Sequence, residues 1–357
     1  MTMPNVGDLD DERRHVKLHH EHVSNVSSTE YPGVYPGEDH SWDLQYFKEK
    51  LVVQIQRLSG KSIELDIVGV DASIANALRR ILMSEVPSIA IENVYVWNNT
   101  SVIHDEVFAH RVGLIPMAVD PRLLNMKGSE ETPTDRDTIV FKLNVACKHR
   151  PKAPRGETDP EKLYINSNVY SRDLVWAPAG DQQTVFAEFP PRPSNDNILL
   201  AKLRPGQTLE MELHANKGIG MTHAKWSPVA TATYRLLPHI VFRNPIPSHL
   251  CEKFRTCFSP GVIEVKDKSD GEKEVVVANP RLESMSREVY RHSEFDGMVE
   301  LTRIRDFFLF SIESTGAYPP QDLLPESIRI MREKVRTLRR AAEALKQAPN
   351  EDEDMEG

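Results

Sequence analysis

Six apolar residues near the C-terminus, Ile328, Met331, Val335, Leu338, Ala342 and Leu345, recur at steps of 3, 4, 3, 4 and 3. At about 3.6 residues per turn that spacing keeps them on one face of an α-helix. The pattern predicts a single helix from about 320 to 347. The stripe is a narrow a/d seam, with Arg332, Lys334, Arg336, Arg339 and Arg340 around it. Such a helix either covers its own core or lies against another helix, and the narrowness favours the second. The spacing leaves open whether that second helix belongs to this chain or to another.

With 357 residues and 39% hydrophobic content, the chain can build two ordinary domains or one domain with a large insertion. No apolar run approaches ~20 residues. "MTMPNVGDLDDERRHVKLHH" has acids and histidines where a signal peptide needs an apolar centre, so the expected compartment is nuclear or cytosolic. Cys147, Cys251 and Cys257 are too few for a disulfide framework and lack the C-x2-C spacing of a structural zinc site; reduced thiols, no cofactor and no metal are expected. A formal charge of -9 opposes nucleic-acid binding through a broad basic surface. Any work on DNA or RNA is expected to go through partners.

Residues 1–40 mix His, Glu, Ser, Pro and Gly without an apolar period and are expected to form a flexible leader. "KLVVQIQRLSGKSIELDIVGV" alternates on both sides of Ser59-Gly60 and predicts a hairpin over about 50 to 69. Asp71 or Ser73 is expected to cap the next helix and Pro87 to stop it. "SIAIENVYVW" is a strand, and "HDEVFAHRVGLIPM" a short helix with acids first and His110 and Arg111 last. From about 118 to 240 the texture turns to short strands separated by Pro, Gly and charge clusters, which marks a separate β-rich unit. "GVIEV", "KEVVVA" and "RDFFLFSIES" give further strands, and residues 348–357 form an acidic tail.

Catalytic patterns are missing. The histidines of "HDEVFAH" stand six apart, whereas a zinc protease helix needs them at i and i+4. Gly218 and Gly220 in "KGIGMTHAKWSP" lead into a tight turn, not a phosphate-binding helix. His15, His19, His20 and His22 lack a rigid frame for a metal. Two rival readings stay in view. One is an enzyme site built from His223, Lys225 and Trp226, set against turn packing and subunit contact; the other is nucleic-acid binding through Lys148, His149, Arg150, Lys152 and Arg155, set against a solvated loop.

In "IANALRRILMSEVPSIAIENVYV", Ile74, Ala75, Leu78, Ile81 and Leu82 share a buried stripe, and Asn76, Arg79, Arg80 and Met83 share the opposite arc. Two guanidinium forks beside a methionine and an amide have the composition of a protein interface; an exposed basic pair is the alternative.

The block "NALRRILMSEVPSIAIENV" with "NNTSVIHDEVFAHRVGLIP" resembles the signature of the alpha-like subunits of cellular RNA polymerases, a family that takes in the archaeal alpha-like chains and the bacterial alpha N-terminal domain. "GIGMTHAKWSPVATATYRLLP", "LAKLRPGQ" and "CFSPGVIEV" are most similar to the larger alpha-like subunit shared by eukaryotic polymerases I and III. The resemblance covers about 40 to 345. It implies an α+β fold, with a discontinuous dimerisation domain at 41–118 and 241–347 interrupted by a β-rich insertion domain at 119–240. It further implies a noncatalytic assembly subunit of the nucleus and nucleolus, paired with a small alpha-like subunit. The second-largest, beta-like subunits and the small zinc-binding subunits are the other implied partners. On that implication the seam from Ile328 to Leu345 is a dimer interface, and Asn76, Arg79, Arg80 and Met83 help dock the beta-like subunit. The polymerase II counterpart carries a zinc-binding cysteine loop in the insertion, where this chain has only Cys147. The alternative is the equivalent subunit of another nuclear polymerase.

Overall fold

The computed structural model describes residues 8–26, 41–128, 131–151, 158–267 and 271–347. In chain order they form β1 (His15–Leu18), β2 (Val23–Ser24), α1 (Leu44–Lys50), β3 (Val52–Leu58) and β4 (Ser62–Val68), followed by α2 (Ala72–Ser84), β5 (Pro87–Asn99) and α3 (Asp105–Gly113). Then come β6 (Thr138–Ala146), β7 (Val175–Ala177), β8 (Thr208–Ile219), β9 (Val229–Phe242) and α4 (Cys251–Thr256). The described chain closes with β10 (Ile263–Asp267), β11 (Lys273–Val277), β12 (Val299–Ser314) and α5 (Pro320–Gln347). The class is α+β, as expected.

The chain divides into two compact units. The first comprises Met1–Arg57, Glu64–Asn76 and Thr233–Ser311. Its sheet runs β2-β1-β12-β4-β3, with β9 also paired to β12. The β3–β4 hairpin turns where expected, its Ser59 N–H reaching the Ser62 carbonyl at 2.8 Å. Beneath the sheet Phe254, Phe258 and Phe295 pack with Leu18, Ile240 and Leu301. Inside this unit Arg281 grips the buried Asp66 with both terminal nitrogens, at 2.8 and 2.6 Å.

One expectation changes here. Residues 15–18, placed in a flexible leader by their composition, form β1 and pair antiparallel with β12, His15 opposite Ile304 and Leu18 opposite Leu301. Val16 and Leu18 are buried. A four-residue alternation set among charges is too short to stand out as a period, but an open edge of β12 supplies the hydrogen bonds that make it a strand. The rest of the expected leader, 1–7 and 27–40, and the tail 348–357 lie outside the described residues.

The second unit comprises Leu58–Ile63, Ala77–Ala232 and Ile312–Gly357. Its sheet runs β7-β6-β8-β5. In β8, Leu209, Met211, Leu213 and Ala215 alternate inward with Glu210 and Glu212 between them, which is how a strand with one dry face is written. β8 pairs with β5 from Leu209 opposite Asn99 to Ile219 opposite Pro87. One core holds Ile89 and Ile91 of β5, Phe108 and Val112 of α3, and Phe141 and Leu143 of β6. Residues 77–118 therefore pack with 119–232, because β5 is a partner strand of β8.

Candidate subunit interface

Asp71 opens α2: its carboxylate accepts the Ser73 N–H at 2.8 Å, and its carbonyl takes the N–H groups of Ile74 and Ala75. The hydroxyl and backbone N–H of Ser73 hold the Asp71 carboxyl below the usual carboxylate range. Ala75, Leu78, Ile81 and Leu82 are buried. On the other arc Arg79 and Met83 are half-buried and Arg80 is exposed; Asn76 stands one turn earlier, also half-buried. Arg79 Nη1 lies 3.9 Å from Met83 Sδ. The helix ends at Ser84, whose carbonyl accepts the Met221 N–H at 2.8 Å, so the turn after β8 closes over it.

The groups an enzyme would need are already used. His223 Nδ1 accepts the Lys225 N–H at 3.1 Å and caps a single turn over Ala224–Trp226. Lys225 Nζ donates to the Ile91 carbonyl at 3.0 Å and pairs with Glu92. Trp226 is buried, donates from Nε1 to the Asn216 carbonyl at 3.1 Å, and offers its own carbonyl to Ser88. His223 shapes the turn, and Lys225 and Trp226 tie it to β5 and β8.

Of the basic run, Lys148 and His149 are exposed beside Tyr164 and Ile165, and Arg150 reaches the Glu161 carbonyl; Lys152 and Arg155 lie outside the described residues. Among the leader histidines, His15 is buried and bonded to the Leu9 carbonyl, and His19 stacks on His22. Among the described residues no group of three His, Cys, Asp or Glu could hold a metal ion. Burial pushes the thiols of Cys147, Cys251 and Cys257 up, and all three are free.

α5 is rooted by its first turns and bare beyond them. Leu323, Leu324, Glu326 and Ser327 are buried. From Ile328 on, the seam faces outward: Ile328 is 49%, Val335 57%, Leu338 70% and Leu345 77% exposed, with Ala342 exposed and Met331 half-buried. At about 1.5 Å per residue it is a strip of roughly 25 Å. One tie was not foreseen: Lys334 pairs with Glu85 at 2.7 and 2.9 Å, joining α5 to the end of α2. Glu85 was overlooked because its partner is 249 residues away; its place just past a helix end was the only local signal.

Residues 64–335 match the family model of the RNA polymerase Rpb3/Rpb11 dimerisation domain. The chain belongs to that family. Its similarity extends to named members. It is 48% identical to the DNA-directed RNA polymerases I and III subunit RPAC1 of Mus musculus, over 88% of this chain and 91% of the relative. It is 46% identical to the RPAC1 of Saccharomyces cerevisiae, over 94% and 98%. Against the DNA-directed RNA polymerases II, IV and V subunit 3 of Arabidopsis thaliana identity is 30%, over 80% and 90%.

Proposed function

We propose that this chain is the larger alpha-like subunit shared by RNA polymerases I and III. It is a noncatalytic assembly subunit that pairs with a small alpha-like chain and forms the platform on which the second-largest subunit docks. The observation that carries the reading is the likeness of 46–48%, across nearly the whole chain, to proteins named as subunits of polymerases I and III.

Within that role the seam from Ile328 to Leu345 receives the small subunit, and the arc of Asn76, Arg79, Arg80 and Met83 receives the beta-like one. Small zinc-binding subunits are further partners. DNA and RNA are met only through the complex, in the nucleus and nucleolus. Residues 41–118 and 241–347 make up the dimerisation domain and 119–240 its insertion.

Sedimentation of the chain with and without the small alpha-like subunit tests the pairing. A 1:1 complex is expected. A chain that sediments as the same monomer in both cases would remove the seam's assigned role.

A further inference from the structure

The seam of α5 says that a helix covers it, and the residues beside the seam say what that helix carries at its own edges. In heptad terms Ile328, Val335 and Ala342 occupy a, and Met331, Leu338 and Leu345 occupy d. The e positions are then Arg332, Arg339 and Lys346, and the g positions of the same stretch are Lys334 and Ala341. All five are exposed. Every charged residue in the two rows is basic. The acids of the stretch, Glu333 and Glu343, fall at f and b, outside the rows that flank a partner. From 328 to 346 seven basic residues stand against two acidic ones, in a chain whose formal charge is -9. The basic rim is thus a local departure from the rest of the surface. Two of its members also touch acids of this chain, Arg339 with Glu343 at 2.8 Å and Lys334 with Glu85, which weakens the rim's charge without reversing it.

We infer that this rim selects the partner. α5 takes a helix whose apolar seam is flanked by Asp and Glu, and it rejects a second copy of itself. The inference rests on the heterodimer reading and adds its rule of choice. Charges at e and g set which helices pair and in which direction. Two copies laid seam to seam would bring e against e when antiparallel, or e against g when parallel. Neither arrangement puts an acid in the facing rows. Desolvating the seam rewards both kinds of pair alike, so the rim is what separates them. Heterodimer and self-pair then respond to salt with opposite signs, the first weakening and the second strengthening as screening rises.

The test uses the full chain, wild type and R332E/R339E/K346E, with and without the small alpha-like subunit. Affinities are read by sedimentation in about 0.1 M and about 1 M NaCl, where the Debye length is ~10 Å and ~3 Å. Each exposed pair is worth only roughly 1.5- to 5-fold in affinity, so turning three attractions into repulsions lowers heterodimer affinity on the order of 100-fold at the lower salt. The milder R332Q/K346Q, which keeps the Arg339–Glu343 contact, loses about 10-fold. Wild-type and charge-reversed copies mixed without the small subunit associate more strongly than wild-type copies alone. A charge-reversed chain that keeps wild-type affinity and salt dependence overturns the rim and leaves the heterodimer standing. Wild-type self-pairing that weakens as salt rises overturns the rejection. A wild-type chain that binds no small subunit at either salt overturns the rim and the heterodimer together.

Discussion

A Cβ on Gly220 would stand 2.2 Å from the Met83 carbonyl oxygen, and one on Gly218 would lie 2.4 Å from the Trp226 ring. Gly220 lets the turn after β8 lie directly on the end of α2, and Gly218 lets the Trp226 ring pack against β8. Gly220→Ala is expected to destabilise the chain by about 1–3 kcal/mol, because the clash is with backbone that cannot swing away. The shift in urea midpoint measures it. Asp71 acts at the other end of the helix. Its depressed native value means that its contribution is fully present above the ordinary carboxylate value of about 3.9 and is lost as the pH falls through the lower native one. Asp71→Asn keeps an acceptor for the Ser73 N–H without the charge, so the variant's stability should lack that acid-side decline. Urea unfolding of both proteins across the acid range checks it.

At the scale of elements, the bare half of α5 and the outward arc of α2 make separate demands. Leu338 is 70% exposed, so Leu338→Asp should leave the isolated chain folded, with an unchanged unfolding curve. It should abolish pairing with the small subunit by placing an unpaired charge where the complex is dry. Arg79→Ala with Arg80→Ala should do the reverse, keeping the heterodimer and losing the beta-like subunit. Removing an interfacial arginine costs on the order of 2 kcal/mol, so the pair lowers affinity roughly a thousandfold. Pull-downs with each partner separate the two effects. Both elements were legible in the sequence because helical periods are local: "ANALRRIL" and the 3-4-3 spacing declare their faces within a few turns. The contacts that position them were not. Glu85 meets Lys334 across 249 residues and Arg281 meets Asp66 across 215, and no local pattern encodes such pairs.

For the whole molecule, pattern and packing diverge at one boundary. The change of texture near 118 is real in the sequence, yet β5 lies before it and pairs along its length with β8 beyond it, so one core crosses the break. Strand texture reports local polarity and turn chemistry, whereas a core follows which strands finally pair, and that is decided by contacts over a hundred residues apart. β1 was missed for the same reason, since its four residues become a strand only against β12. What most directly tests the central claim, that this chain builds polymerases I and III, is mass spectrometry of everything retained by the tagged chain at its natural abundance. The small alpha-like subunit together with the two largest subunits of both polymerases is the expected catch. Recovery of polymerase II subunits in their place, or of no polymerase subunit at all, would contradict it.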